Sequence, residues 1–273
     1  MATRGGIRIG VGGWTFPPWR GVFYPGDLAQ KNELAYASRR LTAIEINATY
    51  YGSQKPASWR KWAAETPDGF VFTLKGSRFT TNRRVLAEAG ESIGRFFDQG
   101  LTELGGKLGP ILWQFAPTKR FDPADFEAFL ALLPKTVDGL AIRHCVEVRH
   151  QSFVCPEFVA LLRRHQVPVV FADHQTYPAI ADVTGDFVYA RLQTGSDEVT
   201  TAYPPPHLDA WAGRLATWAE GGRPADLPAA DPGSDAPKAP REVFAFIIHE
   251  GKVRAPAGAM ALIERCAGGA KPD

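Results

Sequence analysis

The chain has 273 residues, 45% of them hydrophobic, with a net charge of +2. That is enough apolar material for one large core or two small ones, and too weak a positive balance for a dedicated nucleic-acid binder. Three cysteines, Cys145, Cys155 and Cys266, form an odd set without metal-ligand spacing, so free thiols are expected rather than disulfides. No apolar stretch follows a basic start and no run is long enough to span a membrane, so a cytoplasmic location without a membrane partner is expected.

Taken in chain order, strand-like runs fall near 7–11, 43–48, 70–75, 110–115, 144–149, 168–173, 186–192 and 242–248, the eight strands of a closed (β/α) barrel. Helical spacing lies between most of them: Trp59, Trp62 and Ala63; Ile93, Phe96 and Phe97; Phe126, Phe129 and Leu130; Leu208, Trp211, Leu215 and Trp218. Asp122-Pro123 and Cys155-Pro156 put proline where a first helical turn tolerates it. Strands alternating with helices pair in parallel, because each crossover needs a helix. Only a short helical turn fits between Asp173 and Phe187, so the sixth helix is expected to be degenerate. The stretch 221–240 is rich in Pro, Ala and Gly and reads as a mobile surface insertion before the last strand. The expected architecture is α/β: one TIM-like (β/α)8 barrel over 1–266, with that insertion inside it and a frayed tail over 267–273.

Charge is not spread evenly along these strands. Alternate residues of a strand face opposite ways, and several runs carry one apolar face and one that ends in a charge or amide. The expected inward set is Glu45, Asn47, Lys75, Gln114, Glu147, Arg149, Asp173 and Arg191, gathered at the carboxyl ends where a barrel enzyme keeps its chemistry. Its acids and bases balance. A buried ion-pair network that fixes strand register would show the same residues. Each desolvated ion costs several kcal/mol, however, and an apolar replacement is often as stable, which favours a ligand site.

Within the set, Glu147 and Asp173 are the general acid/base candidates, since burial and neighbouring arginines pull a carboxyl pKa in opposite directions. Lys75 reads as an anion contact or ion-pair partner, and as a Schiff-base former only if desolvated enough to be neutral. Beyond it, Lys75-Gly-Ser-Arg-Phe-Thr-Thr-Asn-Arg-Arg84 adds further bases, with Arg78 placed to contact phosphate. The aromatic segment Gly13-Trp-Thr-Phe-Pro-Pro-Trp19 leaves strand one in a loop. There Trp14, Phe16 and Trp19 either close the loop hydrophobically or stack on a sugar or base.

Six histidines, His144, His150, His165, His174, His207 and His249, form no helical His-x-x-x-His pair. His150 and His174 fall near strand ends but, by parity, face away from the inward carboxylates, so no metal and no other cofactor is expected. Gly10-Val-Gly-Gly13 lacks the helix start of a dinucleotide fingerprint, and neither Ser77 nor Ser152 sits in a nucleophile elbow.

These motifs carry a resemblance. Gly13-Trp-Thr-Phe-Pro-Pro-Trp19, Ile44-Glu-Ile-Asn-Ala-Thr-Tyr-Tyr51, Lys75-Gly-Ser-Arg-Phe79, Lys107-Leu-Gly-Pro-Ile-Leu-Trp-Gln-Phe115, Glu147-Val-Arg-His150 and Tyr189-Ala-Arg-Leu192 together resemble the YecE-like family, domain of unknown function 72. The resemblance covers nearly the whole chain and implies a TIM-like barrel. It supplies no reaction. The chain departs from the family pattern at Thr80-Thr81-Asn82, at Gln193 and at His249-Glu250, where members carry Ile-Thr-His, histidine and Asn-Asn. The expected function is metal-independent acid/base chemistry on a small anionic, phosphorylated or sugar-like partner. The alternatives are nucleic-acid binding on an endonuclease-IV-like barrel and non-catalytic ligand sensing.

Overall fold

Every strand-like run becomes a strand, and each pairs in parallel with its neighbours in a computed structural model that describes residues 6–234 and 237–268. The barrel strands are β1 (Ile7–Gly12), β2 (Ala43–Ile46), β3 (Val71–Lys75), β4 (Leu108–Gln114), β5 (His144–Glu147), β6 (Val170–Asp173), β7 (Phe187–Thr194) and β8 (Glu242–Glu250). They run in the order β5-β4-β3-β2-β1-β8-β7-β6. A single bridge, Val146 to Val169, with the Val146 amide donating to the Pro168 carbonyl at 3.0 Å, closes the ring. A small antiparallel hairpin, Thr136–Val137 with Leu140–Ala141, stands apart from the barrel sheet.

Strand alternation divides the apolar residues into two cores. Ala43, Val71, Leu112, Cys145, Val170 and Phe246 belong to a cluster that fills the barrel, while residues of opposite parity, such as Ile44, Phe72 and Phe171, face the helices. The helices Pro56–Glu65, Gly90–Phe97, Pro123–Leu132, Pro156–His165, Pro205–Ala219 and Ala255–Gly268 form the outer layer. The Asp122 carboxylate accepts from the amides of Ala124 and Asp125, capping the helix that Pro123 opens. All three cysteines are free, and burial pushes the Cys145 thiol well above its ordinary range.

Gly76 shows how tightly the inner strands pass over the layer outside them. A Cβ there would lie 2.2 Å from the side chain of Trp113, which is fully buried. Gly76→Ala is expected to cost about 1–3 kcal/mol by overpacking, read as a lowered denaturant midpoint with an unchanged slope. A midpoint equal to that of the parent would show that Trp113 can move aside.

No helix forms between β6 and β7: residues 174–186 are irregular throughout, without even the short turn expected there. The insertion lies against this stretch and is tied to it over its described residues. The Asp182 carboxylate accepts from the amides of Ala230 (2.6 Å) and Asp231 (3.1 Å), and the Ala181 amide donates to the Pro228 carbonyl. Arg163 donates to the Ser234 hydroxyl at 2.6 Å and to the Val183 carbonyl at 3.2 Å. Ala230 is buried and Leu227 packs on the core. The final helix continues through Gly268, and the rest of the expected frayed tail, 269–273, lies outside the described residues. No helix among the described residues is long and apolar enough to cross a membrane.

Candidate functional site

Above the apolar plug, the inner parity turns polar within one strand step on several strands at once. Glu45 follows Ala43, Gln114 follows Leu112, Glu147 follows Cys145, and Arg191 follows Tyr189, so the charges meet at the carboxyl end of the barrel. Arg191 is the hub. Its guanidinium forks onto Glu45, from Nη2 to Oε1 at 3.0 Å and from Nε to Oε2 at 3.1 Å. Its Nη1 donates to Glu147 Oε2 at 2.5 Å. The other Glu147 oxygen accepts from Arg149 Nε at 2.7 Å, and Gln114 Oε1 accepts from Arg149 Nη2 at 2.8 Å. The Tyr189 hydroxyl completes Glu45, donating to Oε2 at 2.7 Å with Thr73 Oγ1 at 2.9 Å on its other side.

This bonding fixes the charge states. Burial alone would raise the Glu147 pKa, but the guanidiniums of Arg191 and Arg149 override it and hold the carboxyl at about 2. Glu147 is therefore a fixed negative charge with both oxygens engaged. Burial would likewise lower the Arg191 pKa, and Glu147 and Glu45 reverse that, so the guanidinium stays charged. Lys75 behaves differently. Burial, then the nearby Arg191, lowers its ammonium to about 8, a shift that the attraction of Glu45 and Glu147 does not cancel. Its Nζ lies 4.4 Å over the Tyr50 ring and pairs with no carboxylate among the described residues.

Asp173 does not join this cluster. On β6 Val170 belongs to the barrel-filling cluster and Ala172, of the same parity, stands beside Arg191, whereas Phe171 packs outward on Trp211 and Trp218. Asp173 shares the parity of Phe171, and its carboxylate accepts from the hydroxyls of Thr194 (2.6 Å) and Tyr203 (3.4 Å). The run Val169-Val-Phe-Ala-Asp173 is apolar on both faces before its last residue, so no alternation marked which face was inside. The same correction brings His174 to the inner side. It stacks on Tyr177 at 3.9 Å, and the Tyr177 ring lies 4.3 Å beneath the Arg149 guanidinium.

The remaining expected residues are placed around the rim or away from it. Asn47 is half-buried, its Nδ2 only 2.9 Å from where a Cβ on Gly12 would stand. Arg78 is exposed, its guanidinium 5.9 Å from the Tyr51 ring and 5.3 Å from that of Phe79. The opening aromatics are loop closure: Trp19 is buried and donates to the Lys252 carbonyl, Trp14 packs edge-on against Trp62 at 4.9 Å, and Phe16 packs on Trp19. Trp19 is enclosed, while Trp14 and Phe16 stay half-buried. Gln193, of the same inner parity as Arg191, is buried with its Nε2 unpartnered. Sequence reasoning passed over Tyr189, although it stands two residues before Arg191 and so on the same face. Tyr177 and Tyr50 carried no such signal. Among the described residues no three His, Cys, Asp or Glu side chains come together to hold a metal; the His249 side chain lies outside them.

Comparison with known proteins agrees with the fold. A DUF72 family protein of Thermotoga maritima superposes with a TM-score of 0.67, at 21% identity over 94% of this chain and 96% of that one. A DUF72 family protein of Enterococcus faecalis gives 0.69 at 16% identity, covering 96% and 98%. D-psicose 3-epimerase, solved in the presence of D-fructose, gives 0.51 at 12% identity over 95% of this chain and 96% of its own, a likeness of fold. The UPF0759 protein YunF of Bacillus subtilis is 29% identical over 116 residues, and the chain covers 40% of that relative's length. Residues 8–272 match the family described as "Protein of unknown function DUF72". With that match over nearly its whole length and the barrel that its solved relatives share, the chain belongs to the DUF72 family, the YecE-like proteins.

Proposed function

We propose that the barrel mouth binds a small anionic substrate, phosphorylated or sugar-like, and moves protons on it with Lys75 as the titrating group. One observation carries this reading. With Asp173 turned away, the inner cluster holds the cations Lys75, Arg149 and Arg191 against the carboxylates Glu45 and Glu147, leaving one positive charge in excess. A buried ion-pair network kept only for register would balance, and an unpaired buried cation is costly unless something else completes it. Glu147 and Glu45 act here as fixed charges that hold Arg149 and Arg191 in place. Lys75, at about 8, keeps both protonation states in reach near neutral pH, as a general acid and base requires.

The expected result is a rise in thermal midpoint when inorganic phosphate or ribose 5-phosphate is added. Saturation to a hundred times the dissociation constant corresponds to about 2.7 kcal/mol of added stability. The same titration of Lys75→Met is expected to be flat. A parent midpoint indifferent to both compounds at tens of millimolar would remove the anion site, and an equal shift in Lys75→Met would remove Lys75 from it. For a compound that shifts the midpoint, exchange of its carbon-bound protons in heavy water, followed by NMR, reads the proton transfer itself.

A further inference from the structure

Lys75 is the one member of the inner cluster whose charged end is not consumed by its neighbours. The two carboxylates that could hold it are already engaged: Glu45 by the Arg191 fork and Tyr189, Glu147 by Arg191 and Arg149. No hydrogen-bond acceptor among the described residues takes its ammonium, whose neighbour is the face of Tyr50. Its main chain, by contrast, is pinned, with the Lys75 carbonyl accepting from the Thr49 hydroxyl at 2.7 Å and the next amide, of Gly76, donating to the Leu112 carbonyl at 2.8 Å. A rigid root and an unclaimed amine at a barrel's carboxyl mouth are the structural requirements of a covalent lysine.

We propose that Lys75 is a covalent centre, its amine condensing with the carbonyl carbon of a small aldehyde or ketone whose carboxylate or phosphate group is held by Arg149. This rests on the anion-binding reading above and narrows its substrate class to carbonyl compounds. The neutral amine's lone pair forms the C–N bond while the carbonyl π pair moves to oxygen, which takes a proton. The proton on that oxygen is one of the amine's two; the carbinolamine then loses the oxygen as water with the remaining N–H proton, and the imine nitrogen takes one proton from solvent. No oxidant or reductant enters. Burial and Arg191 favour the step by holding the amine near 8, where a useful fraction is neutral. Arg149 is placed for the anion because it is half-buried and its Nη1 has only a long contact, 3.4 Å, to the Tyr177 hydroxyl.

The test traps the imine. The parent chain and Lys75→Arg, which keeps the positive charge but cannot form an imine, are each incubated at neutral pH with glyoxylate, pyruvate or dihydroxyacetone phosphate. Sodium borohydride is then added, and intact masses and peptide maps are read. The expected result is one adduct per chain with at least one probe, on the peptide bearing Lys75, about tenfold or more above any exposed lysine because far more of this amine is neutral. It is absent from Lys75→Arg. Labelling of the parent spread evenly over exposed lysines with all three probes, or no labelling at all, overturns the proposal, and the parent peptide map decides this even if Lys75→Arg does not fold. Thermal titration with inorganic phosphate separates the two readings. A phosphate shift without an adduct removes the imine and leaves the anion site; neither signal removes both.

Discussion

Arg191→Met is expected to destabilise the protein by about 3–5 kcal/mol, because it removes the guanidinium that two buried carboxylates share. Glu45 and Glu147 are fully buried, and the guanidinium supplies each with charge-assisted hydrogen bonds that methionine cannot replace. For a chain of this size the loss corresponds to a fall of roughly 10 °C in the thermal midpoint. Neutralising both carboxylates as well, in Glu45→Gln, Glu147→Gln, Arg191→Met, should recover part of it, since neither is then a buried charge short of a partner. A loss below about 1 kcal/mol in the single variant would show that the hub is not structural. Acid titration probes the same bonds. Glu147 sits at about 2 in the folded chain against an ordinary 4.5. A carboxyl held down in the folded state contributes stability that is present above about pH 4.5 and is lost as pH falls through about 2. Taken alone the shift is worth about 3 kcal/mol.

Lys75→Met is expected to act in the opposite direction and stabilise the chain at pH 7 by about 1–3 kcal/mol. The Lys75 ammonium has its pKa lowered from 10.5 to about 8 on folding, so between those values the unfolded chain binds more protons than the folded one. Stability of the parent therefore rises with pH through that window, and below pH 8 the folded state carries the full penalty of a buried cation, roughly 3 kcal/mol. Methionine keeps most of the volume and removes the charge. Paired unfolding curves at pH 7 and pH 10 check this: the variant should be the more stable at pH 7, with the gap shrinking at pH 10. A variant less stable than the parent at pH 7 would mean that Lys75 is held by its surroundings rather than kept there for chemistry.

The eight strands were legible because most runs alternate, and alternation also identified Glu45, Lys75, Gln114, Glu147, Arg149 and Arg191 as one inner group. The reading broke where alternation was missing. Val169-Val-Phe-Ala-Asp173 is apolar on both faces because β6 is covered inside and out, and there a one-residue slip moved Asp173 into the site and His174 out of it. The partition of charge among the inner residues was not legible at all. Which oxygen each guanidinium takes decides that Glu147 is a fixed anion and Lys75 the movable proton, and that follows from three-dimensional spacing alone. The loop aromatics reverse the usual difficulty. Composition allowed both stacking and packing, and packing prevailed because Trp62, Phe72 and the Lys252 carbonyl offered partners from distant parts of the chain.

The tether between residues 181–183 and the stretch 228–234 bears on the order in which the molecule is finished. Where a helix would ordinarily have sealed the wall beside β6 as soon as it was synthesised, the seal here comes from residues about fifty positions later. Asp182 waits, buried in the end but solvated until then, for the amides of Ala230 and Asp231. Contacts of such long sequence separation form late, since the intervening loop must be closed before they repay its entropy. A nascent chain that has emerged only as far as β7 would therefore carry an unfinished flank on that side, open to chaperones and to wrong partners until the last quarter of the polypeptide arrives.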